Sequence, residues 1–250
     1  MAYDFNSILV NQCQKKQGIT TYLQYKLTQL WPNLCGLSLF TLGQTFSLFP
    51  QKTWYPHYHL HGVLDSIPNC NLKHLYHYNQ KTCCFSTDSF PLQDCSIDRI
   101  LYVHDAKVTQ QQFYSLLRSC WNTLNDDGKI ILLLPNKLGW WSIIDNLSLR
   151  YRNSFFIQKL NIILKQHMFH ISHYERVIYF PPKVMNSLSL RNNKILEFIG
   201  VFFVPFLGGY HLIEIEKNLY APITVTPLKK NYILQEKLSK TSLNLTNSDQ

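Results

Sequence analysis

The residue types that do chemistry in α/β proteins gather where strands end, and Asp65 is the first such residue along this chain. It follows residues 59–64, which are predicted to form the second strand, and it lies about 20 residues past Gly43. An acid at that spacing holds the ribose hydroxyls in nucleotide-binding sheets. Asp65 is therefore a candidate nucleotide ligand. The alternative interpretation is a turn-forming Asp ahead of Pro68.

His104 ends another predicted strand, residues 96–105, and is the candidate catalytic base. Histidine titrates near neutral pH and is the side chain that most often transfers protons in enzymes. The opposing interpretation is a structural histidine that hydrogen-bonds to a loop at the end of the strand.

Two further sets of histidines have a regular spacing. The first occupies alternate positions 57, 59 and 61, which share one face of a strand, and the second recurs at every third residue, 167, 170 and 173. Zinc sites are built from such sets, but no matched acid or cysteine accompanies either one. We expect packing or surface roles for both, and no metal site is predicted.

The elements that position these residues are clearest between Ser89 and Asn136, where the pattern reads strand, helix, strand. Residues 96–105 form an apolar strand, and residues 110–124 carry apolar side chains at three- and four-residue spacing, as in a helix that packs on a sheet. Asn125-Asp126-Asp127-Gly128 predicts the turn that stops this helix. Residues 129–134 are almost wholly Ile and Leu, which is typical of a central parallel strand. Such a crossover is right-handed, so both strands end on the edge where open parallel sheets bind ligands.

The remaining pattern completes a doubly wound α/β fold with a mostly parallel sheet. Before the central run it predicts a helix over 20–31, capped by Thr20, and strands over 37–43, 59–64 and 82–85. After it come a helix over 154–169, a strand over 170–180, a helix over 188–206 interrupted near Gly200, and an antiparallel strand over 211–217. We expect residues 1–19 to be an N-terminal extension, 20–222 to be one domain, and 223–250 to be a partly disordered tail.

The central run resembles class I S-adenosylmethionine-dependent methyltransferases of the broad type 11 group. Residues 90–98, Phe-Pro-Leu-Gln-Asp-Cys-Ser-Ile-Asp, are similar to the family's "LPfpd.sfD" segment, residues 124–129 to its "LkpGG.l" turn, and Leu134-Pro135-Asn136 to its "..Pn" strand end. Leu30-Trp31-Pro32 at the start and Gly208-Gly209-Tyr210-His211-Leu212 at the finish look closest to a divergent bacterial branch. The resemblance implies a Rossmann-like, mostly parallel, seven-stranded sheet with an antiparallel last strand.

The same resemblance implies a site for the cofactor S-adenosylmethionine. The family's glycine-rich turn, roughly "DlGcGtG", corresponds to residues 41–46, so the resemblance places the cofactor beside Gly43, Gln44, Asp65, Ser86, Thr87 and Asp88. The last three lie in the loop that contacts the adenine amine in the family. This chain departs from the pattern in having Thr41 in place of the acid, and Thr45 and Phe46 in place of small, flexible residues.

These residues predict a methyltransferase with an unidentified small-molecule or protein acceptor. The degenerate glycine turn leaves a second hypothesis open, which is a catalytically inactive binding or regulatory protein on the same scaffold. Peripheral membrane contact through the basic surface and the apolar segment 188–206 is a third hypothesis.

Charge and cysteine content narrow the class of protein. The net charge of +9 comes from 24 Lys and Arg against 15 Asp and Glu, and the basic residues are scattered, whereas nucleic-acid binding needs a concentrated basic stripe. Seven cysteines without a Cys-x-x-Cys motif favour reduced thiols. With no apparent signal peptide and no apolar run long enough to span a bilayer, the expected location is cytoplasmic.

Overall fold

Seven strands and five helices are formed by the part of the chain that the computed structural model describes, which is residues 18–43, 45, 48–49, 54–64, 81–85, 90, 92–104, 108–139 and 156–219. The strands are β1 (Ser38–Gly43), β2 (Tyr58–Leu64), β3 (Lys81–Phe85), β4 (Ile97–Val103), β5 (Leu124–Pro135), β6 (Phe169–Val177) and β7 (Tyr210–Lys217). The helices are α1 (Gly18–Leu30), α2 (Gln110–Thr123), α3 (Ile157–Gln166), α4 (Pro182–Ser187) and α5 (Leu190–Phe203).

All the strands belong to one sheet with the order β3-β2-β1-β4-β5-β7-β6. Strands β1 to β5 pair in parallel, and β7 pairs antiparallel with both β5 and β6. From β1 the chain first adds strands on one side and then crosses to β4 on the other, which creates a topological switch point between β1 and β4. The predicted mixed α/β fold with a mostly parallel sheet and an antiparallel last strand is confirmed.

Each face of the sheet has its own apolar core, because successive strand residues point to opposite sides. On one face Leu39, Leu101 and Ile131 pack with α1 and with residues around α4. On the other, Phe40 and Ile100 pack with α2 and α3. The helices cover both faces, as expected for strands that are almost continuously apolar.

Helix α1 begins two residues earlier than predicted, so Thr20 lies inside the helix and the predicted Thr20 cap is wrong. The amide of Ile19 donates instead to Oδ1 of Asn186, 167 positions further along the chain, at 3.3 Å. A Cβ on Gly18 would lie 1.9 Å from the carbonyl oxygen of Met185, so only glycine allows this close approach to α4.

The junction between α2 and β5 also differs from the prediction. Helix α2 starts with a capping box between Thr109 and Gln112 and ends at Thr123, and β5 begins at the next residue. Between the pairs Ile97–Leu124 and Arg99–Lys129, β4 advances two residues and β5 advances five, so residues 125–128 form a bulge in β5 and the predicted free-standing turn is wrong.

Helix α5 runs through Gly200 without a break, and the predicted interruption is wrong. A Cβ on this residue would lie 2.4 Å from Cβ of Tyr179, so glycine here allows close packing on the chain that follows β6.

The chain divides into two units, residues 1–219 and 220–250, and the second lies outside the described residues. The domain limits at residues 19 and 222 stay predictions. Among the helices of the described ranges, none is both long and apolar enough to cross a bilayer.

Candidate functional site

The carboxyl ends of β1, β2, β4 and β5 lie at one edge of the sheet, beside the switch point. We refer to it as the carboxyl edge. Of the residues predicted to contact a cofactor or a substrate, Gly43 and His104 are described and lie at this edge. The others, which are Gln44, Asp65, Ser86, Thr87 and Asp88, fall outside the described residues, as does Phe46.

Gly43 ends β1 in a conformation that favours glycine. Its φ is +78°, and a Cβ there would lie 2.2 Å from the carbonyl oxygen of Val103 in β4. The amide of Thr45 then donates to the carbonyl of Gly43 at 2.9 Å, which folds the chain into a tight turn. Glycine is therefore required by the neighbouring strand, and its contact with a cofactor stays a prediction.

Next to this turn, two threonines and two histidines form a largely buried polar group, which we call the Thr–His cluster (Thr41, Thr45, His59 and His61). Oγ1 of Thr41 lies 2.9 Å from Nδ1 of His61 and 3.1 Å from Nε2 of His59. Oγ1 of Thr45 lies 3.2 Å from the same Nδ1 of His61. Thr41 and Thr45 are each 1% exposed and His61 is 5% exposed. The ring of Phe49 stacks on His59 with 4.6 Å between the ring centres.

The register of the sheet explains why these side chains meet. In the parallel ladder, Thr41 lies opposite His61 and Leu39 lies opposite His59, so both histidines share the face of β1 that carries Thr41. The packing role expected for His59 and His61 is confirmed, and their threonine partners are an addition to the prediction. The signal was present in the two strands: aligning their carboxyl ends puts Thr41 beside the histidines.

Burial makes the Thr–His cluster electrically neutral near pH 7. It lowers the pKa of His61 to about 4, and burial together with the nearby His61 lowers the pKa of His59 to about 4. The position that carries an acid in the resembling family thus belongs here to an uncharged, internally hydrogen-bonded group. No set of three or more His, Cys, Asp or Glu side chains within the described ranges is arranged to hold a metal ion.

His104 lies at the carboxyl edge as predicted, but its side chain is on the opposite face of the sheet from the Thr–His cluster. It is 4% exposed, its Nδ1 lies 2.8 Å from Oη of Tyr102, and its ring meets that of Phe113 edge-on. Burial lowers the pKa of His104 to about 3, so the expectation that it titrates near neutral pH is wrong. The tyrosine partner belongs to β4, the strand that ends one residue before His104, so a loop partner is not needed to explain the buried ring.

Asn136, the first residue after β5, fixes the other end of this edge. Its Nδ2 donates to the carbonyl oxygens of Gly208 at 2.6 Å and Phe206 at 3.2 Å, and its Oδ1 accepts from the amide of Leu138 at 3.1 Å. Asn136 therefore holds the end of β5 against the chain that leads into β7.

A separate polar pocket of about 170 Å³ lies away from the carboxyl edge. It is bounded by residues 30–33, which are the last residue of α1 and the three after it, and by Arg99, Lys129 and Glu214. Nε1 of Trp31 donates to Glu214 Oε1 at 2.8 Å, and Lys129 pairs with Glu216 at 2.6 Å. These ion pairs and hydrogen bonds are satisfied among protein groups, and none of the predicted site residues lines the pocket.

Solved structures with the same fold include several methyltransferases. An S-adenosylmethionine-dependent methyltransferase from Archaeoglobus fulgidus superposes with a TM-score of 0.57 at 13% identity, covering 86% of this chain and 100% of that protein. Geranyl diphosphate methyltransferase, solved with S-adenosylmethionine, gives 0.54 at 10% identity, over 85% of this chain and 90% of that one. A [4+2]-cyclase gives 0.51 at 13% identity, over 78% and 79%.

Sequence comparison adds no relative to these structures, since neither a protein-family model nor a curated protein matches the chain. At 10–13% identity the likeness shows the fold alone. The chain has the class I methyltransferase fold over most of its length.

Proposed function

We propose that this protein binds S-adenosylmethionine at the carboxyl edge and transfers its methyl group to an acceptor. The observation that carries the proposal is the sheet order, which brings the ends of β1, β2 and β4 together beside the switch point, where open α/β sheets bind ligands. The neighbouring structures described as S-adenosylmethionine-dependent methyltransferases support the same cofactor. The type 11 group and the divergent bacterial branch remain part of the proposal.

The backbone around Gly43 suits such a cofactor better than the side chains do. Gly43, the last residue of β1, has a positive φ and no side chain, as the glycines of the family's turn do. The Thr–His cluster supplies no charge, so it neither attracts the cationic sulfonium nor repels the carboxylate of a methionine moiety. We therefore assign recognition to the backbone turn and to Asp65, with Gln44, Ser86, Thr87 and Asp88 as further contacts.

Methyl transfer asks little covalent work of the protein. The cofactor supplies an activated methyl group, and the protein gains rate by holding the acceptor in line with it and by excluding water. In this account the carboxyl edge positions the two reactants. A general-base role for His104 stays a prediction, and its low pKa and its hydrogen bond to Tyr102 leave it a weak base at neutral pH.

Calorimetric titration with S-adenosylhomocysteine tests the proposal. We expect saturable binding to the wild-type protein and about 10-fold weaker binding to Asp65→Asn, because the ribose hydroxyls lose a charged acceptor. Asp127→Asn is the matched control, since Asp127 is an exposed acid in the bulge at the start of β5. Binding that is equally strong in Asp65→Asn and the control would remove Asp65 from the site.

We also propose, as a second candidate, a protein that binds the cofactor or a related nucleoside without transferring a methyl group, because Thr41 stands where the resembling family has an acid and a fold does not fix a function. It predicts binding of S-adenosylhomocysteine but no release of it from S-adenosylmethionine with any acceptor. The absence of binding to the wild-type protein contradicts both candidates.

A further inference from the structure

Helix α5 has its polar and apolar sides reversed relative to a helix that packs on a core. The residues directed inward are Asn193, Glu197 and Gly200. The polar pair Asn193 and Glu197 is at most 2% exposed. The residues directed outward are large and apolar: Ile195, Phe198, Ile199, Val201, Phe202 and Phe203, followed by Phe206 just after the helix. We call these seven residues the apolar face. Phe198, Phe202 and Phe203 are each 72–73% exposed.

Hydrogen bonds fix this orientation of the helix. The carboxylate of Glu197 accepts from the amides of Tyr179 at 2.8 Å and Ile178 at 3.0 Å, and Nδ2 of Asn193 donates to the carbonyl of Met185 at 2.9 Å. Gly200 packs directly on Tyr179. Rotating α5 to hide its phenylalanines would break all of these contacts, so the apolar face is a built feature of the surface. Exposed apolar patches of this kind mark interaction sites.

The charges around the apolar face indicate which kind of surface covers it. Residues 184–209 contain the cations Arg191 and Lys194, and the one acid in this range is the buried Glu197. At the far end, the guanidinium of Arg176 lies 5.3 Å from the ring centre of Phe206. The whole chain carries +9. Within residues 184–209 the charged groups other than the buried Glu197 are all positive, so this segment suits a surface that combines apolar chains with anionic groups.

We propose that the apolar face seats the protein on an anionic lipid membrane. A helix of 14 residues is about 21 Å long, which is shorter than the hydrocarbon core of a bilayer, so it lies in the interface plane with its phenylalanines among the acyl chains. A second copy of the chain fits less well, because a two-fold dimer would bring the cations beside the apolar face of one copy close to those of the other. This seating does not depend on the proposed methyl transfer.

Flotation with vesicles tests this proposal on the full chain. We expect the wild-type protein to float with vesicles of phosphatidylcholine and phosphatidylglycerol, and to float less with pure phosphatidylcholine or in high salt. Replacing two exposed rings in Phe198→Ser/Phe202→Ser should lower the partition coefficient at least about 10-fold. The matched control is Ile162→Ser/Leu138→Ser, which removes two apolar side chains that are 59% and 47% exposed elsewhere on the surface and should leave flotation unchanged.

Three results would overturn the proposal. One is wild-type protein that stays in the soluble fraction with both kinds of vesicle. Another is flotation that the phenylalanine variant shares with wild type. The third is a dimer, detected by light scattering without lipid, that the phenylalanine variant turns into a monomer, because the apolar face would then belong to a second copy of the chain. Titration of the same variant with S-adenosylhomocysteine separates this proposal from the proposed function, since cofactor binding should be intact in it.

Discussion

Buried histidines make the stability of this protein depend on pH. A histidine whose pKa is lowered by folding takes up its proton more readily in the unfolded chain, so its contribution to stability is complete above its ordinary pKa of 6.5 and is lost as the pH falls. For His61 and His59 that loss spans pH 6.5 to about 4. Burial raises the pKa of Glu197 to about 7, and this group acts in the opposite direction, losing stability as the pH rises from 4.5 through 7.

Because these two effects overlap, a comparison of variants isolates the histidine. His61→Asn keeps a short polar side chain near Thr41 but cannot titrate, so the free energy of unfolding should fall less between pH 6.5 and 4 than in wild type. The expected difference is about 3 kcal/mol, from a pKa that falls from 6.5 to about 4. Urea unfolding across this pH range measures it. His57→Asn, at an exposed position just before β2, is the control for the substitution itself. Parallel curves for His61→Asn and wild type would show that the cluster does not resist protonation.

The junction of β1 with β4 needs glycine at position 43 both for its left-handed backbone and for its close contact with β4. Comparing substitutions at Gly36 and Gly43 separates these two requirements. Gly36 and Gly43 both have a φ of +78°, but a Cβ on Gly36 meets nothing within 4 Å, whereas one on Gly43 meets the carbonyl of Val103. Gly36→Ala should cost about 1–2 kcal/mol for the left-handed backbone alone. Gly43→Ala should lower the free energy of unfolding by about 1–3 kcal/mol more than Gly36→Ala does, because β4 has to move. Denaturant unfolding of both variants gives the difference, and equal losses would show that the sheet absorbs the extra methyl group.

The elements themselves were largely predictable from the sequence. Apolar spacing located β1, β4, α2 and β5, because strands and helices that face a core must repeat their apolar residues at the period of the element. The wrong predictions, at the start of α1 and at Gly200, concern positions that are set by contacts between distant segments of the chain. The helix start at Gly18 is bonded by Asn186, and Gly200 is small because Tyr179 packs on it. Neither partner can be identified from the local sequence.

For the molecule as a whole, the carboxyl edge was predictable and its electrostatics were not. Right-handed crossovers place the strand ends together, which the pattern around Asn136 already indicated. The pKa of His104 is low because the ring is buried, with Tyr102 and Phe113 as neighbours. His61 is neutral because the β1–β2 register buries it beside Thr41. The apolar segment 188–206 suggested membrane contact, but which of its residues face outward could not be predicted, since their spacing is also that of a buried helix face.

The central claim is that the cofactor binds at the carboxyl edge, and photo-crosslinking with radiolabelled S-adenosylmethionine tests it most directly. The protein is irradiated with the labelled cofactor, with and without excess S-adenosylhomocysteine, and the label is mapped to single residues by mass spectrometry. We expect labelling that the competitor removes at residues 41–46 or 61–65, where β1 and β2 end. Labelling around Trp31, Arg99 and Glu214 in the separate pocket, or no labelling that the competitor removes, would contradict it.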